Sequence, residues 1–179
     1  YRTPNARFRT LLSRKLSISL QWVCVPIFTN KSNQSFRIMM KRGKILIVDD
    51  NEDILFTLKM LLRPIAESIT TLNDPRELLP IISRTRFDVI LLDMNFRQDA
   101  VSGKEGFHWL EEILKLDAKA VVIFITAYAD TEKAVQAIKQ GATDFIPKPW
   151  QNEKLIATVS SALQLSFSRT EVETLKQQK

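Results

Sequence analysis

Lys44-Ile45-Leu46-Ile47-Val48-Asp49-Asp50 is the stretch whose reading decides the fold. Four consecutive apolar residues, three of them β-branched, with polar neighbours only at the ends, describe a strand buried on both faces instead of an amphipathic one. A strand of that kind needs helices on both sides of its sheet. Downstream, the chain supplies them. Ile54, Leu58, Leu61 and Leu62 recur at helical spacing, which predicts a helix over 52–62, stopped by Arg63-Pro64. A weaker strand is expected around Ser68 to Leu72. Asp74 then offers a cap, Pro75 the first helical position, and Glu77 the third member of a capping box.

The alternation continues. Phe87 to Leu92 reads as a third strand ending at Asp93, and a long loop from Met94 to about Lys104 leads to a helix carrying Phe107, Leu110 and Leu114. Val121 to Ile125 is a fourth strand. Asp130 is positioned to cap the next helix, with Ala134, Ala137 and Ile138 inward and Gly141 ending it. A brief fifth strand, Asp144 to Ile146, precedes Pro147-Lys148-Pro149 and a last helix with Leu155, Val159 and Leu163. Five strands alternating with five helices make an α/β doubly wound parallel sheet.

In such sheets the functional crevice lies at the carboxyl ends of the strands. Those ends carry Asp49 and Asp50, Asp93, Thr126 and Lys148. Three carboxylates gathered at one edge repel unless a cation compensates, and oxygen-only ligands of this hardness suit Mg²⁺. A carboxylate so placed can accept a phosphoryl group, because that transfer needs mainly alignment and charge neutralisation, which metal and lysine supply. The threonine hydroxyl can donate a hydrogen bond to a phosphoryl oxygen.

The segments Ile45-Leu46-Ile47-Val48-Asp49-Asp50-Asn51, Asp88-Val89-Ile90-Leu91-Leu92-Asp93-Met94, Ile125-Thr126-Ala127 and Lys148-Pro149, in this order and spacing, resemble the receiver domain of two-component response regulators. The stretch from Thr126 to Trp150 narrows the resemblance to regulators of the nitrogen-regulation, sigma-54-dependent class. The resemblance implies a flavodoxin-like (βα)5 fold with strand order 2-1-3-4-5. It implies Asp93 as phosphoacceptor, and Asp49, Asp50, Asp93 and the backbone carbonyl of Asn95 as the Mg²⁺ site. Thr126, Ala127 and Lys148 would contact the phosphoryl group, and Thr126 with Phe145 would form the switch. Lys148-Pro149 would be a cis peptide, a bond type nearly confined to proline. The implied partner is a sensor histidine kinase, with homodimerisation through the fourth-helix and fifth-strand face common in the family. No direct nucleic-acid binding by the receiver, no enzymatic turnover beyond Mg²⁺-dependent acceptance and slow autodephosphorylation, and a cytoplasmic location are implied with it.

One departure from the family pattern flanks the site. The usual Met-Pro pair after the phosphoacceptor is replaced by the longer, proline-free run from Asn95 to Gly106. Its polar residues Arg97 and Asp99 either alter access to the site or belong to a tolerated surface insertion, since loop lengthening costs little.

The flanks differ from this region. Across all 179 residues the formal charge is +6, yet residues 1–42 hold nine Lys/Arg and no acid, leaving the remainder at −3. The expected organisation is a basic extension over 1–40, disordered or upstream of the true start near Met39-Met40, a receiver over 41–166, and the start of a linker helix over 167–179. A targeting segment and a polyanion-binding arm are the other readings of the extension. One Cys (Cys24) and one His (His108) exclude an internal disulfide and a His or Cys metal cluster. No apolar run approaches the roughly 20 residues a membrane span needs. Three competing functions read poorly. A haloacid-dehalogenase-type phosphatase wants an aspartate where Asn95 stands, and a flavin or dinucleotide binder wants a glycine-rich turn where Asp49, Asp50, Glu52 and Asp53 stand. A pseudo-receiver is favoured only by the lengthened loop. No ATPase phosphate loop occurs, so the sigma-54 class ATPase and its DNA-binding output are absent from these residues. Phe145, Tyr128, Trp150 and His108 also read as ordinary packing or surface residues.

Overall fold

The computed structural model describes residues 43–96, 104–127 and 131–177. The basic extension, Cys24, Arg97, Asp99, Tyr128 and the expected cap Asp130 lie outside the described residues.

Five parallel strands, β1 (Gly43–Val48), β2 (Ala66–Leu72), β3 (Val89–Asp93), β4 (Val122–Thr126) and β5 (Asp144–Pro147), form one sheet in the order β2-β1-β3-β4-β5. The helices are α1 (Glu52–Leu62), α2 (Leu78–Ile82), α3 (Lys104–Leu116), α4 (Thr131–Lys139) and α5 (Asn152–Gln177), with a 3₁₀ turn at Pro75–Glu77 before α2. This is the flavodoxin-like arrangement.

The apolar run at β1 is explained by what covers it. Ile45 and Ile47 join Val89, Leu91, Ile123 and Ile125 on one face, beneath Leu55, Leu58 and Leu62 of α1 and Leu155, Val159 and Leu163 of α5. Leu46 and Val48 join Ile90, Leu92, Val122 and Phe124 on the other, against Leu78 of α2, Leu110 and Ile113 of α3, and Ala137 of α4. Each fully buried aliphatic side chain contributes roughly 1.5–3 kcal/mol. A ring contact between Phe107 of α3 and Phe124 of β4, with centroids 5.8 Å apart at 75°, adds an edge-to-face pair to that second layer.

Local chemistry sets the element ends. The Asn51 side chain accepts from the Asp53 and Ile54 amides and starts α1. Gly141, at φ +103°, ends α4, with its amide on the Ile138 carbonyl and the Ala142 amide on that of Ala137, the double bond pattern of a left-handed glycine cap. Two local expectations need correction. Ile138 is 46% exposed while Ala134 and Ala137 are buried, because one further residue turns the helix by about 100° away from the buried face. The helix after Asp74 is a 3₁₀ turn followed by five residues; Asp74 does accept from the Arg76 amide, but Pro80 inside α2 lacks the N–H needed to lengthen it.

The last helix runs without interruption from Asn152 to Gln177, past the expected receiver boundary at 166. Its outer half is tied to the body: Arg86 donates to Thr170 Oγ1 at 2.8 Å, Arg169 to the Lys119 carbonyl at 2.9 Å, and Lys119 pairs with Glu173 at 2.7 Å. Among the described residues no helix is long and apolar enough to cross a membrane.

Candidate functional site

The parallel sheet brings its strand ends together by construction. Val48 of β1 lies level with Leu92 of β3, so Asp49 and Asp93 follow at adjacent positions on one edge. Asp49 is 1% exposed, its amide bonded to the Leu72 carbonyl at the end of β2 and its Oδ1 accepting from the Asn51 amide at 2.9 Å. Asp93 is 3% exposed, with its strand held to β4 by the Met94 amide on the Ile125 carbonyl. Asp50 is half-buried beside them. Carboxylate oxygens of Asp49, Asp50 and Asp93 lie within 4.8 Å of one another.

Lys148 enters from β5. The Lys148–Pro149 peptide is cis, and the Lys148 amide donates to the Thr126 carbonyl at 2.6 Å, which lays the residue across the end of β4. Its Nζ reaches Asp49 Oδ2 at 2.6 Å and Asp93 Oδ1 at 2.9 Å. One ammonium thus faces three carboxylates, two of them removed from solvent. Burial first, then Asp49 and Asp50, push the Asp93 carboxyl up to about 6 against the opposing pull of Lys148. The Lys148 pKa is raised as well: burial draws its ammonium down, but Asp93 and Asp49 outweigh it and hold the pKa above the usual lysine value.

The gathering of three carboxylates at one strand edge is the observation that fits a divalent cation. Three hard oxygen donors within 4.8 Å, with one ammonium between two of them, suit Mg²⁺ and its preference for carboxylate and water.

Thr126 is the last residue of β4 and is 3% exposed, while Ala127 beyond it is exposed. Phe145 is partly buried, pairs with Phe124 in the β4–β5 register and packs on the α3/α4 side of the sheet. Two residues along β4 from Phe124, Thr126 shares that face by strand alternation. Asn95 follows Asp93 by two residues, and both polar atoms of its side chain are buried without a hydrogen-bond partner among the described residues. His108 is exposed on α3, with its ring 5.2 Å from that of Trp109.

Two features have no signal in the sequence pattern. A cleft of about 560 Å³ opens beside Asp50, lined among others by Glu52, Arg76, Phe96, Glu105 and Trp109, which come from separate parts of the chain. And Gly106, at the start of α3, lies directly against the backbone of Met94.

Together the sheet order and the strand-end constellation define a class that one family accounts for. The response regulator receiver domain family matches residues 45–160, and the chain belongs to it. Among solved structures, the N-terminal signal receiver domain of a two-component response regulator from Bacteroides fragilis is 40% identical, with a TM-score of 0.62, over 69% of this chain and 98% of that one. The DNA-binding transcriptional regulator NtrC of Salmonella typhimurium is 32% identical over 69% of this chain and 25% of its own length. The response regulator protein TodT of Pseudomonas putida is 30% identical over 82% of this chain and 63% of its own. The chain therefore spans about a quarter of NtrC and under two thirds of TodT.

Proposed function

We propose that Asp93 accepts a phosphoryl group from a sensor histidine kinase and that the added charge switches a downstream, transcriptional output. The observation that carries this is the buried Asp93 carboxylate, 2.9 Å from Lys148 Nζ and within 4.8 Å of carboxylate oxygens of Asp49 and Asp50.

Asp49, Asp50, Asp93 and the Asn95 carbonyl are the residues that would hold Mg²⁺. When bound, the ion neutralises charge on the phosphoryl oxygens and so lowers the barrier to their approach. The chain's own groups do the rest. An Asp93 oxygen attacks phosphorus as the phosphorus–nitrogen bond of the donor phosphohistidine breaks, and the departing imidazole takes a proton from solvent. Lys148, held between Asp49 and Asp93, stays within reach of the new phosphoryl oxygens, and Thr126 and the Ala127 amide donate to them from the end of β4. The product carries roughly −1.5 to −2 of added charge, by analogy with other phosphorylated side chains. Thr126 moving toward that charge leaves space that Phe145, on the same sheet face, can fill. The altered face is then that of α4 and β5, where Val135 and Ile138 are exposed and a second copy or an output domain can dock.

The same reading places the receiver at 41–166 and the start of a linker helix at 167–179, behind a basic extension over 1–40, in a cytoplasmic regulator of the sigma-54 class. Relatives that are themselves transcriptional regulators support that output. The receiver binds no nucleic acid itself. It acts as a signalling domain whose only chemistry is Mg²⁺-dependent self-phosphorylation and slow loss of the group. The test is intact-protein mass after incubation with a small phosphodonor. A single phosphoryl adduct that needs Mg²⁺ supports the proposal, and no adduct in the folded protein contradicts it.

A further inference from the structure

Gly106 is buried in the first turn of α3, and its amide donates to the Met94 carbonyl at 3.2 Å. A Cβ at this position would stand 2.7 Å from Met94 O, 2.8 Å from Met94 Cα and 3.0 Å from Met94 C. All three obstacles are backbone, and that backbone joins Asp93 to Asn95. None of these three atoms belongs to a flexible side chain that could give way. Restoring an ordinary 3.4 Å contact from 2.7 Å would move the Met94 peptide by about 0.7 Å.

We infer that Gly106 is a positioning residue for the phosphoacceptor: its contact with Met94 fixes the peptide between Asp93 and Asn95, and with it the oxygens that face the cation. This rests on the reading of Asp93 and Asn95 given above. The contact also answers the departure from the family pattern. Phe96 is 3% exposed on the near side of the lengthened segment, and Gly106 is seated on Met94 on the far side. Both ends of the β3–α3 connection are fixed within the described residues, so the geometry of the carboxylates does not depend on the length of the run between them. Extra residues are tolerated beside an active edge because loop closure grows only slowly costlier with length, whereas a single methyl group at 106 strikes the edge itself.

Gly43 provides a matched control. A Cβ there would meet Leu163 Cδ2 at 2.6 Å and Asp88 Oδ2 at 2.9 Å, distances as short but to side-chain atoms, at the first residue of β1, the opposite end of the strand from Asp49.

The experiment measures Mg²⁺ affinity by calorimetric titration on the full chain for the wild type, Gly106→Ala and Gly43→Ala, with circular dichroism and urea unfolding for the fold. Gly106→Ala is expected to lose about tenfold in Mg²⁺ affinity, the low end of what supporting contacts around a metal are worth. Gly43→Ala is expected to unfold at lower urea with its Mg²⁺ affinity within about twofold of wild type, since its strain lies far from the ligands. A folded Gly106→Ala protein with wild-type affinity overturns the inference. Should Gly106→Ala fail to fold, hydrogen exchange on the wild type decides: saturating Mg²⁺ should slow exchange of the Gly106 amide together with that of Asn95, and an unchanged Gly106 amide overturns the inference. A wild-type protein that takes up no Mg²⁺ overturns the underlying reading of the site, and this inference with it.

Discussion

Replacing Asp93 with asparagine should make the metal-free protein more stable at neutral pH while removing its function. The carboxyl titrates near 6 in the folded chain against an ordinary 3.8, chiefly because it is buried. Below about pH 4 the group is protonated in both folded and unfolded states and contributes no difference. As the pH rises from about 4 to 6 the unfolded chain releases its proton first, so stability falls, and above about 6 the loss is constant. At roughly 1.4 kcal/mol per pH unit, the gap between 3.8 and about 6 corresponds to a deficit of about 3 kcal/mol at pH 7.5. Attraction to Lys148 is already contained in that balance, and the asparagine Oδ1 can still accept from Nζ. Urea unfolding of wild type and Asp93→Asn across pH 3.5 to 8 without divalent cations measures the difference directly. With a slope of about 1–3 kcal/mol per molar, the midpoint of the variant should rise by about 1–3 M at pH 7.5 and coincide with wild type at the acid end. Mg²⁺ should close the neutral-pH gap by stabilising the wild type more. A difference that does not vary with pH, or a variant less stable than wild type at pH 7.5, would refute the account of a buried carboxylate left short of cations.

Two further outcomes follow from the same charges. Lys148→Ala leaves Asp49 and Asp93 buried without their shared ammonium, so the metal-free protein should lose about 3 kcal/mol at pH 7.5, the scale for breaking a buried ion pair, and regain part of it on adding Mg²⁺; thermal or urea unfolding in both conditions checks this. Phosphoryl acceptance needs the ionised Asp93, so its initial rate at limiting Mg²⁺ should fall about tenfold per pH unit below about 6, with the midpoint moving to lower pH as Mg²⁺ is raised. Stopped-flow or quench kinetics over pH 5 to 8 reads both effects.

The sheet was legible because its central strands are buried on both faces and so stand out as unbroken apolar runs. Where that condition fails, the reading blurs. In β2, the edge strand, Ala66 and Leu72 are buried while the residues between are not, so no apolar run marks its start at Ala66. Phe87 precedes β3 instead of beginning it, while Asp93 and Thr126, the expected strand ends, are paired within the sheet. Polar site residues there keep the ladder although they break the apolar run. Ile138 illustrates the limit of helical spacing alone, since a residue one position from the buried Ala137 points about 100° away. For the site, strand ends plus parallel topology suffice to gather Asp49, Asp50, Asp93, Thr126 and Lys148. They do not reveal that Lys148 bridges both Asp49 and Asp93, nor that Gly106 abuts Met94, because each depends on distances between elements far apart in the chain.

The central claim is that one particular carboxylate carries the phosphoryl group. After Mg²⁺-dependent phosphorylation, borohydride reduction converts an aspartyl phosphate to homoserine, and peptide mass spectrometry then locates the converted residue. The account predicts homoserine at position 93 alone, and none in Asp93→Asn. Conversion at Asp49 or Asp50 in the wild type, or an undiminished adduct in Asp93→Asn, would contradict it.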